Sequence, residues 1–247
     1  VLYSPLDAVK IALEDKNTQY VFAAVGFETT TPVYGVLLDE ITKREIHNLK
    51  LLTSLKIMVP ALSYVCENEK NIDAFLAPGH VSVIIGCDVY KELAQKYKKP
   101  FVVAGFEGEH ILAALYEILC QVKNGRHEMR NLYPNAVTEK GNLTAQSVIQ
   151  KYFELKDDFW RGIGTIEKSA LKLKPEYSKF DAGSSFDEFE EKIPAGCRCR
   201  DVILGRINPP ECPLFSGACT PLNAVGPCMV STEGVCGIWY KNRGGKG

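Results

Sequence analysis

No apolar run in the 247-residue sequence approaches the roughly 18 residues that a membrane-spanning helix needs, so no membrane partner is expected. Charge of one sign is also missing. The 29 Lys and Arg are dispersed among 30 Asp and Glu for a net −1, which leaves no basic footprint for nucleic acid. The opening VLYSPLDAV has neither the basic start nor the long apolar stretch of an export signal. It begins with Val rather than Met, as a fragment of a longer protein would. No pair of cysteines is spaced C-x₂₋₄-C, the usual spacing in structural zinc sites. An odd number of cysteines without an export signal points to a reducing cytoplasm and to metal or redox use, not to a disulfide framework.

Those cysteines are unevenly placed. Six of the nine fall between Cys197 and Cys236, among Gly, Pro and Thr rather than in an apolar period. Thiolates that converge on a metal centre need turns of this kind, because several soft sulfur ligands must point at one place. Four thiolates suffice for a four-iron cluster, and Cys197, Cys199, Cys212, Cys219, Cys228 and Cys236 provide six. A division into four ligands and two redox-active thiols fits, although spacing alone does not say which are which. Zinc ligation and simple burial are the competing readings. For Cys66, Cys87 and Cys120, which sit in apolar settings, burial is the expected role.

Ahead of the cysteines, residues 1–130 alternate strand-like and helix-like segments, the pattern of an α/β protein with parallel sheets and helices on both faces. Strands are expected at Tyr20 to Val25, Leu55 to Val59, Val81 to Gly86 and Phe101 to Ala104. Ser4 and Pro5 read as the cap and first residue of a helix whose inner face is Leu6, Val9 and Leu13. A helix through Ile111, Ala114, Leu115 and Leu119 should follow the last strand. Leu143 to Phe153 reads as another helix, Phe159 to Gly164 as a turn-rich connector, and Tyr177 to Glu190 as a polar linker. The division expected is residues 1–184 for the α/β region, in one or two lobes, and 185–247 for a mostly irregular or helical cysteine domain. Within the α/β region, Gly26-Phe27-Glu28 and Gly105-Phe106-Glu107 repeat one triplet after an apolar strand, at the carboxyl edge where open α/β sheets bind ligands.

Several stretches then resemble one family. In the tail they are CRC, PPECPLF, ACTP, VGPCMVS, EGVC and Tyr240. In the body they are SPLDA, VGFETTTP, FLAPGHVSVIIG, VVAGFE, WRGIG and Phe180-Asp181-Ala182. Together they resemble HypD, the iron–sulfur scaffold family of NiFe-hydrogenase maturation. The resemblance implies a 4Fe–4S cluster held by Cys197, Cys212, Cys219 and Cys236 (C-x₁₄-C-x₆-C-x₁₆-C). It implies Cys199 and Cys228 as a neighbouring thiol couple, similar to ferredoxin:thioredoxin reductase, where a cluster feeds an adjacent disulfide. An alternative ligand set has Cys228 in place of Cys197. The implied partners are HypC-like and HypE-like proteins, and the implied task is assembly of the Fe(CN)2CO unit. Two further readings are an iron–sulfur disulfide reductase acting on a protein and a zinc-stabilised interaction module.

The sequence departs from that pattern at Gly108-Glu109-His110, at Asn131 to Asn135 and at Arg200. Relatives also carry about another hundred residues at the start, roughly one lobe's worth. These hold a Cys-Gly-x-His motif, whose cysteine is thought to carry the iron, and a Cys-x-x-Cys pair; neither motif occurs here. Among other residues, Glu233 is the candidate proton carrier beside the thiols. Glu28 and Glu107 are candidate ligand-loop carboxylates, or else complement a helix dipole. Thr29 and Thr30 cap a helix or bind an anion. His80 is a ligand candidate or a hydrogen-bonded structural residue. Trp160 and Arg161 are expected to pack the connector against the cysteine domain.

Overall fold

Apolar side chains at Leu49, Leu51 and Leu55, two or four apart, are the mark of a strand with one buried face, and a strand forms there. The computed structural model of the chain describes residues 2–160, 162–184 and 194–242. Its elements run α1 (Asp7–Glu14), β1 (Tyr20–Gly26), α2 (Thr31–Lys43), β2 (Leu49–Lys56), α3 (Met58–Asn68), β3 (Phe75–Pro78) and α4 (Gly79–Ile85). Then come α5 (Asp88–Tyr97), β4 (Phe101–Ala104), α6 (Gly108–Lys123), β5 (Met129–Asn131), α7 (Leu143–Tyr152), β6 (Phe153–Trp160) and β7 (Gly164–Leu173). Among its described residues the cysteine region holds the short helices α8 (Cys199–Ile203), α9 (Pro227–Val230) and α10 (Val235–Asn242) and a 3-10 turn at Pro209–Glu211.

The chain divides into two units. One comprises Val1–Glu67, Asp73–Asp157 and Glu167–Phe186; the other comprises Asn68–Ile72, Asp158–Ile166 and Asp187–Gly247. The boundary read from the sequence, between 184 and 185, opens a stretch that lies outside the described residues, and so does part of the expected linker Tyr177 to Glu190.

In the first unit, β3, β4 and β5 form a wholly parallel sheet in that order. All of β4 is buried, and its alternation shows why. Phe101 and Val103 pack with Tyr90 and Leu93 of α5, while Val102 and Ala104 pack with Ala114 of α6. Helices therefore cover both faces, as expected for α/β architecture. The other sheet has the order β1-β2-β7-β6, with β1 and β2 parallel and β2 and β7 antiparallel. Its core joins Leu49, Leu51 and Leu55 to Leu37, Leu38 and Ile41 of α2 and to Tyr152 at the end of α7.

Several expectations need correction. The strand at Tyr20 to Val25 is present but not fully buried: it lies at a sheet edge, with Val21 59% and Val25 60% exposed. The strand expected at Leu55 to Val59 is the end of β2 followed by the start of α3. Val81 to Gly86 is helical, because β3 stops at Pro78 and Ser82 Oγ donates back to the Pro78 carbonyl at 2.8 Å inside the first turn of α4. The three consecutive apolar residues Val83 to Ile85 carry no period, so strand and helix cannot be told apart there. In α1 the buried face is Ala8, Val9 and Ala12, and Leu6 and Leu13 lie outside it. Ser4 closes the preceding turn instead, accepting from the Leu6 N–H at 3.3 Å. The looser pattern after Gly141 conceals β6 and β7. Tyr177 to Phe180 belongs to a 3-10 turn ending on buried Phe180, and Ser184 Oγ accepts from the β2 amide of Thr53 at 2.8 Å.

Candidate metal centre

Turns deliver the six cysteines one after another. Gly196 takes a left-handed φ of +83°, and the Cys197 N–H then closes onto the Pro194 carbonyl at 3.0 Å. Cys199 opens α8. Pro209 starts a 3-10 turn in which the Asn208 N–H donates to Glu211 Oε2 at 2.6 Å, and Cys212 follows it. The Cys212 to Cys219 loop is pinned by the Cys219 N–H on the Leu214 carbonyl at 2.8 Å. Pro227 occupies the first turn of α9, a position its locked φ suits, and places Cys228 there. Cys236 enters with α10.

All six sulfurs end in one cluster. Cys199, Cys212, Cys219, Cys228 and Cys236 are buried together with Val202 and Met229, and partly buried Cys197 packs against them. Cys228 Sγ lies 3.2 Å from Cys236 Sγ, and the Cys228 N–H points at Cys199 Sγ at 3.2 Å. The Val225 N–H points at Cys219 Sγ at 3.4 Å. Amide donors on sulfur favour the thiolate form. Against this, burial pushes the Cys197 and Cys236 thiols up; hydrogen bonds from the Cys199 N–H and from Cys228 partly offset it, while the charge of nearby cysteines adds to it. A metal that binds here must therefore displace protons.

Gly226 is required by the close approach. A Cβ there would stand 2.7 Å from Cys197 Sγ and 3.1 Å from Cys199 Cβ, so any side chain would enter the sulfur cluster. Among the described residues no three His, Cys, Asp or Glu side chains meet as the donors of one metal ion. A mononuclear zinc site requires donors at about 2.0–2.3 Å from one atom. A four-iron cluster takes one thiolate per iron around a larger body, and a buried group of several thiols supplies donors of that kind.

The same unit contains supports that sequence reading missed. Arg206 forms a forked pair with buried Glu69, Nη2 to Oε1 at 2.7 Å and Nε to Oε2 at 2.9 Å. Its remaining nitrogen lies 3.4 Å from Asp201, which also receives Arg198 Nε at 3.0 Å. Residues on either side of Cys199 are thereby anchored through Asp201 and Arg206. A separation of 137 residues leaves no local signal for such a pair. A Cβ on Gly162 would meet Ile203, Pro227 and Cys199 at 3.2–3.9 Å, so the connector runs beside the cysteines there; Trp160 itself is half-buried, and Arg161 lies outside the described residues.

The remaining candidates lie elsewhere. Glu233 sits on an exposed turn, its N–H on Ser231 Oγ at 3.0 Å, and its carboxylate has no contact with the thiols among the described residues. The two Gly-Phe-Glu loops do end β1 and β4, but their carboxylates differ. Glu28 is buried, Oε1 accepts the Met58 N–H at the start of α3 at 2.8 Å, and Oε2 has no partner among the described residues. Burial pushes its carboxyl above the usual range, which the Met58 N–H partly offsets. Glu107 is 61% exposed and bonds His110 Nδ1 at 2.8 Å. His80 is exposed, with its ring 4.9 Å from that of Phe106. Thr29 and Thr30 are exposed, and Thr30 precedes α2 without a side-chain cap; its hydroxyl turns back to the Phe27 carbonyl at 3.1 Å. Cys66 and Cys87 are buried and Cys120 is half-buried.

Fold and site together define an α/β protein carrying a separate unit whose core is made of cysteine. A family profile described as "HypD: Hydrogenase formation hypA family" matches residues 1–243. Similar proteins include a provisionally named hydrogenase expression/formation protein of Methanocaldococcus jannaschii, 42% identical over 98% of this chain and 68% of the relative. Hydrogenase maturation factor HypD of Escherichia coli is 38% identical over 98% of this chain and 66% of the relative. HypD of Cupriavidus necator is 37% identical over 97% and 66%. The chain belongs to the HypD family of hydrogenase maturation factors, and it spans about two thirds of the length of the relatives it matches. Among the described residues no helix is long and apolar enough to cross a membrane.

Proposed function

We propose that the chain is the redox-active part of a scaffold that helps assemble the Fe(CN)2CO unit of NiFe hydrogenase in the cytoplasm. The observation that carries this reading is the gathering of six cysteines into one buried cluster in a protein of this family. Cys197, Cys212, Cys219 and Cys236 would hold a 4Fe–4S cluster, with Cys199 and Cys228 as the adjacent thiol pair. Such a cluster, when bound, supplies low-potential electrons. A Cys199–Cys228 disulfide takes up two electrons and two protons and opens to two thiols. The Cys228 N–H on Cys199 Sγ favours the thiolate that forms first. Glu233, on the open side of the turn before Cys236, is the proposed proton carrier.

A second ligand set has its own support. Cys228 lies against Cys236, whereas Cys197 is the least enclosed of the six. In this alternative Cys228 replaces Cys197 as a ligand. Single Cys→Ser variants purified without oxygen separate the two. Cys212→Ser loses the visible chromophore in both; Cys228→Ser keeps it only if Cys228 is a redox thiol.

HypC-like and HypE-like proteins are the proposed partners. Leu222, Val230, Ile238 and Trp239 stand exposed around the cysteine unit and provide apolar surface for a protein partner. Carriage of the iron itself is proposed only for a protein that supplies the Cys-Gly-x-His motif absent from this sequence. Capture of a HypC-like protein tests the scaffold role. Equal reduction of unrelated disulfide proteins, with no such capture, would favour a general reductase instead.

A further inference from the structure

The first unit contains a cavity of about 300 Å³ that the cysteine chemistry does not use. It opens between the end of α1, the loop into β1 and the loop from α2 into β2, at the edge where β1 and β2 begin. Ala12, Ile46 and Asn48 are its buried floor. Lys16, Arg44 and His47 are its potential cations, Gln19 adds an amide, and Glu45 is the one acid in its lining.

The ends of two helices meet here, so bare carbonyls would make the cavity attractive to cations. Several of them are already bonded. Asn48 Nδ2 donates to the carbonyls of Ala12, Asp15 and Thr18 at 3.1, 2.9 and 3.0 Å. At the end of α2, the N–H groups of Arg44, Glu45 and Ile46 close onto the carbonyls of Glu40, Thr42 and Ile41 at 3.1, 3.3 and 3.0 Å. What is left open is mostly donor. Arg44 gives only Nε to Glu40, at 2.8 Å, and its two terminal nitrogens make no bond among the described residues. Lys16 Nζ makes none either. Two terminal guanidinium nitrogens in one plane match a phosphoryl or carboxylate edge, and an ammonium adds a point charge.

Glu45 sharpens the case. It sits at φ +53°, a left-handed conformation that Gly adopts without strain and Glu does not. Its carboxylate is the one opposing charge in the lining, and Arg44 is paired instead with Glu40 outside it.

We infer that this cavity binds a small phosphate monoester, with Arg44 and Lys16 on the phosphoryl group and the Gln19 amide beside the organic part. The volume is at the lower end of small-molecule pockets and exceeds the need of a bare phosphate ion.

The test uses the full chain, with glycerol 3-phosphate, inorganic phosphate and glycerol as probes in calorimetric titrations at low and at 0.3 M salt. Circular dichroism verifies that each variant is folded. Saturable binding of glycerol 3-phosphate is expected, weaker for inorganic phosphate and absent for glycerol, with affinity falling as salt screens the charges. Arg44→Ala and Lys16→Ala should each weaken binding about tenfold. Glu45→Gly should strengthen it about threefold by removing the opposing charge. Binding that does not saturate, that is equal for glycerol, or that survives a folded double variant K16A/R44A would overturn the assignment.

Discussion

The two units are built on different chemistry. The first is held by ordinary cores: Leu37, Leu38, Ile41, Leu51 and Leu55 in one, and Tyr90, Phe101 and Val103 in another, all closed to solvent. In the second, five of the seven buried residues of the described core cluster are cysteines, joined by Val202 and Met229. Hydrocarbon burial stabilises whatever the metal content or redox state. A core of thiols is small, and its members are of the kind that can ligate metal, so its stability should follow what the sulfurs bind. The first unit should therefore behave as scaffold and the second as a chemical device whose order depends on its cargo.

The largest effect should come from the metal. Chelating iron from anaerobically purified protein is expected to abolish amide protection over residues 197–240 while leaving β1, β2 and β4 protected, as read by hydrogen exchange. Equal loss in both regions would erase the distinction. Next, Leu38→Ala, at a position with no exposed surface, should cost about 3 kcal/mol, the usual range for a buried Leu. Urea titration should find the same cost with and without iron. Arg206→Ala leaves buried Glu69 without its cation and should cost less than Leu38→Ala, because Arg206 itself is exposed. That loss should be confined to the second unit.

A smaller effect concerns pH. Burial raises the folded-state pKa of Glu28, so between its unfolded value near 4.5 and the higher folded value the native chain binds more protons than the unfolded one. Stability in that interval falls as pH rises, and the penalty is complete above the folded pKa. Glu28→Gln should thus be as stable as or more stable than the parent at pH 7 and should flatten the slope above pH 4.5, in thermal melts run against pH. A large destabilisation at pH 7 would mean that the carboxylate, not the neutral acid, is what α3 requires. The smallest effect is at Asp39, which accepts from Lys151 and Tyr152 and whose carboxyl is held below the usual range, chiefly by the Lys151 bond. Asp39→Asn should cost under about 1 kcal/mol, since both members of the pair with Lys151 are about half exposed. Its stabilisation should be present above pH 3.8 and be lost as pH falls through the depressed value.

How much was legible follows from how far each signal reaches along the chain. The sulfur cluster could be read because cysteines among turn residues have few other uses. β4 and α6 were legible through a short apolar run followed by a helical period, and the two Gly-Phe-Glu loops fell at strand ends as expected. β6 and β7 were missed although Phe153, Leu155 and Phe159 lie on alternate positions; the charges between them hid a half-exposed hairpin arm. α4 was misread because its apolar run is shorter than one helical period can reveal. Nothing local distinguishes Glu28 from Glu107: the buried one lies under α3, the other beside His110, and only the folded chain separates them. The Glu69–Arg206 fork was beyond reach for the same reason.

The central claim is that the cysteine unit holds an iron–sulfur cluster. Iron, zinc and acid-labile sulfide should be quantified in protein purified without oxygen, together with the visible spectrum before and after dithionite. About four irons and four sulfides per chain are expected, with a broad absorption that bleaches on reduction and is absent from Cys212→Ser. A colourless protein with neither iron nor sulfide, or with one zinc in their place, would contradict the account.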